Sequence, residues 1–226
     1  MKCVVLSSGG MDSTTCLSLA VNHYGAENVI SLSIIYGQKH IKEIEAARKV
    51  AEYYNVQHYE KDLTSVFDFS NCSLLSKSTD SIVHQSYAEQ LAAREANTPV
   101  ATYVPFRNGL FLACAASLAY SLGANVVCYG AHADDAAGSA YPDCSKDFAY
   151  AMRKAIKEGT GDQVDMYSPL ITFTKTEVLE RAIAFDTPLH LTWSCYEGGD
   201  KPCGKCGTCI DRAKAFAALG IDDPAM

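Results

Sequence analysis

Hydrophobic and polar residues follow two different periods along the chain, and the two periods alternate. Short runs rich in β-branched residues predict buried strands at residues 2–7, 29–35, 56–61 and 125–129. Apolar residues at helical spacing predict helices at residues 12–24, 41–54, 110–122, 148–157, 175–185 and 211–219. Strands separated by helices indicate a parallel sheet, so we expect a Rossmann-like α/β fold with helices on both faces of the sheet.

The alternation fails between residues 62 and 102. This stretch is rich in serine and shows only a weak helical pattern, near residues 87–95. A loop of that length inside a compact domain is usually a lid, a binding insert or a dimer arm. We therefore expect one large domain at residues 1–190 that carries this insert, followed by a small segment at residues 191–226. The helix at 110–122 is apolar on all sides, and we expect it to be buried.

Composition narrows the class of protein. The chain has 226 residues, 48% of them hydrophobic and 20% charged, which excludes an intrinsically disordered protein. No stretch approaches the roughly 18–20 apolar residues of a membrane span, and the residues after Met1 lack the apolar region of a signal peptide. The formal net charge is -7, whereas proteins that bind nucleic acid are usually basic. We expect a cytoplasmic protein that binds a small molecule, not a membrane and not nucleic acid directly.

A glycine-containing loop connects the first predicted strand to the first helix, with the sequence SGGMDSTT at residues 8–15. Gly9 and Gly10 let the backbone approach an anion, and the helix N-terminus offers it unpaired N–H groups. The alternative is an ordinary turn in which Asp12 or Ser13 caps the helix. The loop matches neither the dinucleotide fingerprint nor the Walker loop. It resembles the SGGxDS signature of the pyrophosphate-binding-loop ATPases, and the resemblance implies cleavage of ATP between its α and β phosphates.

Four cysteines crowd into one segment near the C-terminus, at Cys195, Cys203, Cys206 and Cys209. Four thiolates with no vacant position describe a closed, tetrahedral zinc site of structural type. An iron–sulfur cluster is the alternative, although the position of the first cysteine differs from the ferredoxin pattern. Four unrelated reduced cysteines are the third interpretation. Four further cysteines lie among apolar neighbours and are expected to be small core residues: Cys3, Cys16, Cys114 and Cys128.

Three other polar clusters follow predicted strands or precede the apolar helix. They lie at residues 36–40 (YGQKH), 104–108 (VPFRN) and 134–144, a segment that contains two aspartates and then YPDC. Each cluster on its own is compatible with solvated surface residues. All three, however, fall where a parallel sheet places its ligand crevice, at the carboxyl ends of the strands.

Five motifs occur in order between residues 6 and 216: SGGMDSTT, YGQKH, VPFRN, Asp134-Asp135 followed by YPDC, and TWSCYEGGDKPCGKCGTCIDRAKAF. Together they resemble the 7-cyano-7-deazaguanine synthase family of the queuosine pathway. The resemblance implies an adenine nucleotide alpha hydrolase-like fold and an ATP-dependent carbon–nitrogen ligase that tends to form homodimers. The implied substrates are 7-carboxy-7-deazaguanine and ammonia. Adenylation would give an amide, which a second activation would dehydrate to the nitrile.

The resemblance also implies site residues. The residues implied to bind ATP are Leu6, Ser7, Ser8, Gly9, Gly10, Met11, Asp12, Ser13, Thr14, Thr15 and Cys16. Candidates for substrate binding or catalysis are Tyr36, Gln38, Arg107, Asn108, Asp134, Asp135, Tyr141, Asp143 and Lys175. The zinc ligands are Cys195, Cys203, Cys206 and Cys209.

Individual roles follow from the chemistry of these side chains. Magnesium would neutralise the phosphates, with Asp12, Asp134 or Asp135 as an oxygen ligand. Lys175 and Arg107 would stabilise the charge that develops as pyrophosphate departs. A carboxylate suits the N1–H and exocyclic amine of guanine. We expect this carboxylate to be that of Asp143, assisted by Tyr36, Gln38 and Tyr141.

Two other functions stay open at this point. One is a related ligase that stops at the 7-amido product or that modifies a base already in tRNA. The other is a non-catalytic module that binds a nucleotide and releases no pyrophosphate. The mass of the product separates the nitrile from the amide, and release of pyrophosphate separates an enzyme from a module.

Overall fold

The computed structural model describes residues 1–93 and 98–226. Within these residues a parallel sheet has five strands: β1 Cys3–Leu6, β2 Val29–Ile35, β3 Gln57–Asp62, β4 Val126–Cys128 and β5 Asp165–Tyr167. Their order in the sheet is β3-β2-β1-β4-β5, and every neighbouring pair is parallel. The predicted fold class is therefore confirmed.

Helices connect the strands. They are α1 Met11–Tyr24, α2 Lys42–Tyr53, α3 Tyr87–Ala92, α4 Arg107–Ser121, α5 Ala133–Ala136, α6 Lys146–Gly159, α7 Lys175–Ala184 and α8 Gly207–Leu219. The six predicted helices are all present. α8 begins earlier than predicted because Cys206, one of the four clustered cysteines, is its N-cap residue.

Side chains that alternate along the strands bury both faces of the sheet. Val4 and Val127 pack in one core with residues of α4 and α6. Val5 and Cys128 point to the opposite face and pack with residues of α1, α2 and α7. Helices thus cover both faces, as the continuous apolar runs of β1 and β4 predict. Cys3 and Cys16 are buried in the second core, as expected.

Two predictions about the elements were wrong. The strand β5 was not predicted, because it is a three-residue edge strand in which only Met166 is buried. The helix α4 is not buried on all sides, since it packs on the sheet with one face and leaves Ala113, Ser117 and Tyr120 exposed. Alanines and a tyrosine are compatible with either environment, so the apolar composition alone did not reveal this face.

The described part of the insert at residues 62–102 packs against the cysteine segment. Phe67, Leu75 and Ile82 lie in one apolar cluster with three of the four cysteines. His84 Nε2 lies 2.7 Å from a carboxylate oxygen of Glu197. The predicted helix near residues 87–95 corresponds to α3, and its predicted end lies outside the described residues. The insert therefore forms a wall over the cysteines.

The chain changes direction across the sheet after β3. The next strand, β4, lies beside β1 on the side away from β2. The connections that leave β1 and β4 therefore diverge, and such a switch point opens a crevice at the carboxyl ends of the strands. Among the described residues, no helix is both long enough and apolar enough to cross a membrane.

Candidate functional site

A cleft of about 650 Å³ lies at the switch point between β1 and β4. Most of the predicted site residues line it: Leu6, Ser7, Ser8, Gly10, Asp12, Ser13, Tyr36, Gln38, Arg107, Asn108, Asp134, Asp135, Tyr141 and Lys175. The others lie behind its walls: Gly9, Met11, Thr14, Thr15, Cys16 and Asp143. The three loops that the sequence placed at the carboxyl ends of the strands thus meet in one cleft.

The start of α1 is open to a ligand. Its N-cap residue is Gly10, and no side chain caps the helix. The interpretation in which Asp12 or Ser13 caps the helix is therefore wrong. The hydroxyl of Ser13 instead accepts a hydrogen bond from the backbone N–H of Ser8 at 3.1 Å. Uncapped N–H groups at the positive end of the helix dipole form a site for phosphate oxygens.

Gly9 holds the loop against α2. Its φ is 81°, and a Cβ at this position would lie 2.3 Å from the carbonyl oxygen of Glu43 and 2.5 Å from the backbone nitrogen of Ala47. The backbone N–H of Trp193 donates to the carbonyl oxygen of Gly9 at 2.9 Å. The loop is therefore clamped between α2 and the chain just before the cysteines, and only glycine fits there.

Two residues that are expected to bind ATP do not line the cleft. Thr14 and Thr15 are fully buried, and the Thr15 hydroxyl donates to the carbonyl oxygen of Met11 at 2.8 Å. Met11 and Cys16 are also buried. These side chains support the loop from the core, and the hydroxyls that line the cleft here are those of Ser8 and Ser13, together with Ser7.

A charged cluster lies at the start of α1. The ammonium group of Lys175 lies 2.6 Å from both carboxylate oxygens of Asp12. The backbone N–H of Lys175 donates to Asp134 at 2.7 Å. The buried ring of His132 places Nε2 at 3.3 Å from Asp135 and 3.7 Å from Asp12. One lysine, one histidine and three carboxylates thus share the end of the cleft next to the glycine loop.

The two inner carboxyls of this cluster have opposite pKa shifts. Burial disfavours the charged form of Asp12, but the charges of Lys175 and His132 outweigh burial and hold the pKa of this carboxyl below its ordinary value. Burial raises the pKa of Asp135, with the negative charge of Asp12 as a further contribution. The cluster therefore concentrates negative charge where a cation is favourable.

Arg107 lies in an aromatic environment at another part of the cleft. Its Nη1 donates to the Tyr36 hydroxyl at 3.3 Å, and its guanidinium carbon lies 5.2 Å from the Tyr36 ring centre and 6.0 Å from that of Phe111. No ion pair joins Arg107 to a carboxylate within residues 1–93 and 98–226. A partly buried cation that forms no salt bridge favours an anionic ligand.

Three tyrosines from distant parts of the chain form one wall. The hydroxyls of Tyr87 and Tyr196 lie 2.8 Å apart, and the rings of Tyr87 and Tyr141 pack edge to face at 5.5 Å. Burial raises the pKa of Tyr141 to about 12. Burial also raises the pKa values of Tyr87 and Tyr196, so all three hydroxyls stay neutral at physiological pH and can donate as well as accept hydrogen bonds.

Asp143 is a capping residue in this structure. It is 3% exposed, and its carboxylate accepts a hydrogen bond from the backbone N–H of Asn108 at 2.8 Å, in the first turn of α4. The Asn108 side chain donates to the Asp143 carbonyl oxygen at 3.3 Å. Burial raises the pKa of Asp143, and the hydrogen bond from Asn108 and the charge of Arg107 oppose this shift. The pair thus fixes the start of the helix that carries Arg107.

Several residues of the cleft were not among the predicted site residues. Glu43, Tyr87, His132 and Tyr196 all line it. His132 has a local signal, since it closely follows the predicted strand at 125–129, whereas Glu43 lies within the predicted helix at 41–54 and has no such signal. Tyr87 has none, because the insert that carries it has no strand or helix pattern strong enough to place it.

The four clustered cysteines could hold a metal ion. Their Sγ atoms all lie within 4.8 Å of one another, and three of the four residues are buried. The sulfur of Cys195 accepts hydrogen bonds from the backbone N–H groups of Glu197 and Cys203, at 3.4 and 3.3 Å. The sulfur of Cys203 accepts two more, from Lys205 and Cys206. Backbone donors of this kind stabilise thiolates, which are the form that binds a metal.

Comparison with known proteins places these features in a family. A family model described as queuosine biosynthesis protein QueC matches residues 2–220. A 7-cyano-7-deazaguanine synthase of Archaeoglobus fulgidus is 39% identical over 227 residues, which cover 100% of this chain and 90% of the relative. The synthase of Koribacter versatilis is 42% identical over 226 residues, which cover 99% of this chain and 92% of the relative.

Solved structures share the fold at low sequence identity. An NMN synthetase from Francisella tularensis is 17% identical with a TM-score of 0.52, and the match covers 98% of this chain and 78% of that one. The U34-tRNA thiolase NcsA from Methanococcus maripaludis, solved with its [4Fe-4S] cluster, gives the same identity and TM-score over 97% of this chain and 65% of that one. Both comparisons support the α/β architecture.

Proposed function

Because the chain belongs to the QueC family of queuosine biosynthesis proteins, we propose that it converts 7-carboxy-7-deazaguanine, ATP and ammonia into 7-cyano-7-deazaguanine. One observation carries the ATP-dependent part of this proposal. The uncapped start of α1 and the cations Lys175 and Arg107 line the same cleft. A helix N-terminus and cations are the groups that bind a polyphosphate and a carboxylate at close range.

The proposed reaction contains two activations. In the first, a carboxylate oxygen of the substrate attacks the α-phosphorus of ATP, and pyrophosphate leaves. Ammonia then attacks the acyl carbon, loses a proton and expels AMP, which gives the amide. In the second activation the amide oxygen attacks the α-phosphorus of another ATP, and pyrophosphate leaves again. Loss of AMP and of the remaining nitrogen protons then gives the nitrile.

The residues of the cleft divide this work. The loop at Ser8, Gly10 and Ser13 binds the β and γ phosphates through hydroxyl and N–H groups. Lys175, held by Asp12 at 2.6 Å, balances the charge of the departing pyrophosphate. Arg107, which forms no salt bridge within residues 1–93 and 98–226, supplies the counter-charge for the anionic group of the base. Substrate and ATP are thereby held in one orientation.

Magnesium fits the charged cluster. The carboxylates of Asp12, Asp134 and Asp135 line the cleft close to the glycine loop, and carboxylate oxygens are ligands that magnesium prefers. Magnesium bound there would neutralise phosphate charge. Which of the three carboxylates binds it is a question for single substitutions, each measured by the magnesium concentration that gives half-maximal rate.

Zinc fits the cysteine cluster better than an iron–sulfur cluster does. Four sulfurs at about 2.3 Å from one zinc ion lie roughly 3.8 Å apart. The observed upper limit of 4.8 Å is close to that separation. Thiolates on a four-iron cluster bind four different irons and stand farther apart. We expect colourless protein with one zinc per chain. Brown protein with iron and visible absorbance would establish the alternative.

A product assay tests the function. The purified chain is incubated with ATP, magnesium, ammonium and 7-carboxy-7-deazaguanine, and the products are identified by mass spectrometry. We expect the nitrile, with AMP and pyrophosphate. Lys175→Gln should lose most of the rate, whereas Lys154→Gln, an exposed lysine on α6, should keep it.

Two results would contradict the proposal. Amide as the final product would establish the ligase that stops at the 7-amido stage. ATP binding without pyrophosphate release would establish the non-catalytic nucleotide-binding module.

The resemblance to the family supports three further proposals. We propose a cytoplasmic homodimer in which residues 1–190 form the ATP and substrate domain and residues 191–226 the metal-binding segment. Light scattering of the purified protein measures the mass in solution, and a monomer would contradict the dimer. Limited proteolysis tests whether the junction near residue 190 is a boundary.

A further inference from the structure

The cleft contains a carboxylate that the proposed mechanism does not use. Glu43 lies in the first turn of α2, and its backbone carbonyl packs against Gly9 of the phosphate loop. Its side chain lines the cleft. We propose that Glu43 binds the donor edge of the substrate base and accepts hydrogen bonds from the N1–H and the exocyclic 2-amine. This inference rests on the proposed function. Glu43 would then determine which base the enzyme accepts.

The other carboxylates next to the phosphate loop already have partners. Asp12 accepts from the Lys175 ammonium with both oxygens at 2.6 Å. Asp134 accepts the backbone N–H of Lys175 at 2.7 Å. Asp135 lies 3.3 Å from Nε2 of His132. These three carboxylates already interact with Lys175 or His132, so they are poorly placed to bind a neutral base as well.

Two more carboxylates are also committed. Asp143 lies behind the wall of the cleft, where it accepts the backbone N–H of Asn108 at 2.8 Å. Asp211 lies 3.8 Å from the ammonium group of Lys214. The Glu43 carboxylate, in contrast, has no hydrogen bond or ion pair with any other residue of 1–93 and 98–226. It is the carboxylate of the cleft whose oxygens are open to a ligand.

The surroundings of Glu43 favour a ligand that donates hydrogen bonds. Burial raises the pKa of Glu43 to about 7, while the charge of Arg107 on α4 lowers it and that of Cys206 at the start of α8 raises it. The Tyr36 hydroxyl, which follows β2, also interacts electrostatically with the Glu43 carboxylate. A desolvated carboxylate without donors is costly, and a ligand with two adjacent N–H donors relieves the cost.

The donor pattern distinguishes the two heterocycles in the reaction. The guanine-type edge of 7-carboxy-7-deazaguanine presents N1–H and the 2-amine side by side, which matches both oxygens of one carboxylate. The adenine of ATP presents an amine next to a ring nitrogen that accepts. A carboxylate would meet one donor and one repelling lone pair there. The observations therefore favour the substrate base over ATP.

The test compares Glu43→Gln with Glu45→Gln, an exposed glutamate on the same helix. Rates of AMP release are measured against the concentration of base at saturating ATP, and against ATP at saturating base. Loss of a two-point contact to a base edge corresponds to about a 10- to 100-fold effect. We expect Glu43→Gln to raise KM for the base by about this factor and to leave KM for ATP within about twofold. Glu45→Gln should match the wild type in both.

A second arm uses a base analogue that lacks the 2-amino group. The wild type should prefer the natural base, and Glu43→Gln should lose most of that preference, which a merely structural change would not do. Unfolding curves check that the variants fold. Glu43→Asp keeps the carboxylate and should retain part of the discrimination against the analogue.

Several outcomes would overturn the inference. A raised KM for ATP with an unchanged KM for the base would place Glu43 at the adenine. Unchanged values for both substrates, or unchanged discrimination against the analogue, would show that Glu43 does not bind the base. A wild type that releases no AMP with this base would overturn the proposed function and this inference together. An active wild type with an unaffected Glu43→Gln variant would overturn this inference alone.

Discussion

A buried ion pair ties the last residues of the chain to the metal-binding segment. Arg212 of α8 binds Asp223 with two parallel hydrogen bonds, Nε to Oδ2 at 2.6 Å and Nη2 to Oδ1 at 2.9 Å. The two side chains are only 4% and 6% exposed. The same guanidinium donates through Nη1 to the hydroxyls of Thr192 and Ser194, at 2.8 and 3.2 Å. Asp223→Asn removes the counter-charge and keeps the size of the side chain.

The expected loss follows from burial. Removing one partner of a buried pair costs about 3–5 kcal/mol, because the remaining charge stays out of water without compensation. For a domain of this length, 1 kcal/mol corresponds to about 2–4 °C in Tm, so the variant should melt roughly 6–20 °C below the wild type. Urea unfolding should show the same loss with an unchanged slope, which identifies it as a change in stability.

The chain offers a matched control on its surface. Arg153 binds Asp165 with the same two-bond geometry, at 2.7 and 2.8 Å, but these side chains are 51% and 34% exposed. Both aspartates also accept one backbone N–H, from Ala225 and Met166 respectively. Asp165→Asn should therefore cost less than about 1 kcal/mol. Similar losses in the two variants, at equal metal content, would refute the argument from burial.

Three further predictions concern other parts of the molecule. Gly9→Ala should lower the free energy of unfolding by more than about 2 kcal/mol, because the new Cβ meets backbone atoms at positive φ. Gly123→Ala, at positive φ in open space, should lower it by about 1 kcal/mol. Equal losses of stability in urea unfolding would count against the steric explanation. Glu43→Gln should have the same free energy of unfolding as the wild type near pH 4. Above pH 7 the variant should be more stable, by no more than about 3 kcal/mol, because burial raises the pKa of Glu43 and the wild type loses the favoured protonated form as the pH rises through about 7. A difference that does not change with pH would be inconsistent with a raised pKa. Cys209→Ser should lose the bound metal measured by elemental analysis, whereas Cys114→Ser, which lies outside the cluster, should retain it; a chelator that lowers Tm in the wild type should then leave Cys209→Ser unchanged.

Much of the fold follows from local pattern. The central strands and the helices have clear periods, and the glycine loop lies between β1 and α1 as the sequence predicts. The edge strand β5 does not follow from local pattern, because Asp165 and Tyr167 are polar or exposed and its pairing with β4 depends on tertiary contacts. Short edge strands carry little hydrophobic signal, so a single sequence does not reveal them.

The site is predictable as a set of loops but not as a set of roles. Motif spacing brings Asp143 close to Tyr141 in the sequence, yet the partner of its carboxylate is the backbone of Asn108, 35 residues away. Glu43 lies in a helix whose charged residues are mostly solvated, and only the packing of that helix on Gly9 places it in the cleft. Local sequence gives the chemistry of a side chain, whereas its partners are set by the tertiary structure.

The cleft takes its walls from both ends of the chain, and this has a consequence for synthesis on the ribosome. Ser8 comes from the first strand–helix turn, whereas Ser194, Thr208 and Ala218, which line the same cleft, come from the last part of the chain. N-terminal parts of a protein begin to fold while later parts are still being made. The phosphate loop therefore emerges early but stays incomplete until α8 has left the ribosome. Prematurely terminated chains that retain the glycine motif should accordingly fail to retain ATP.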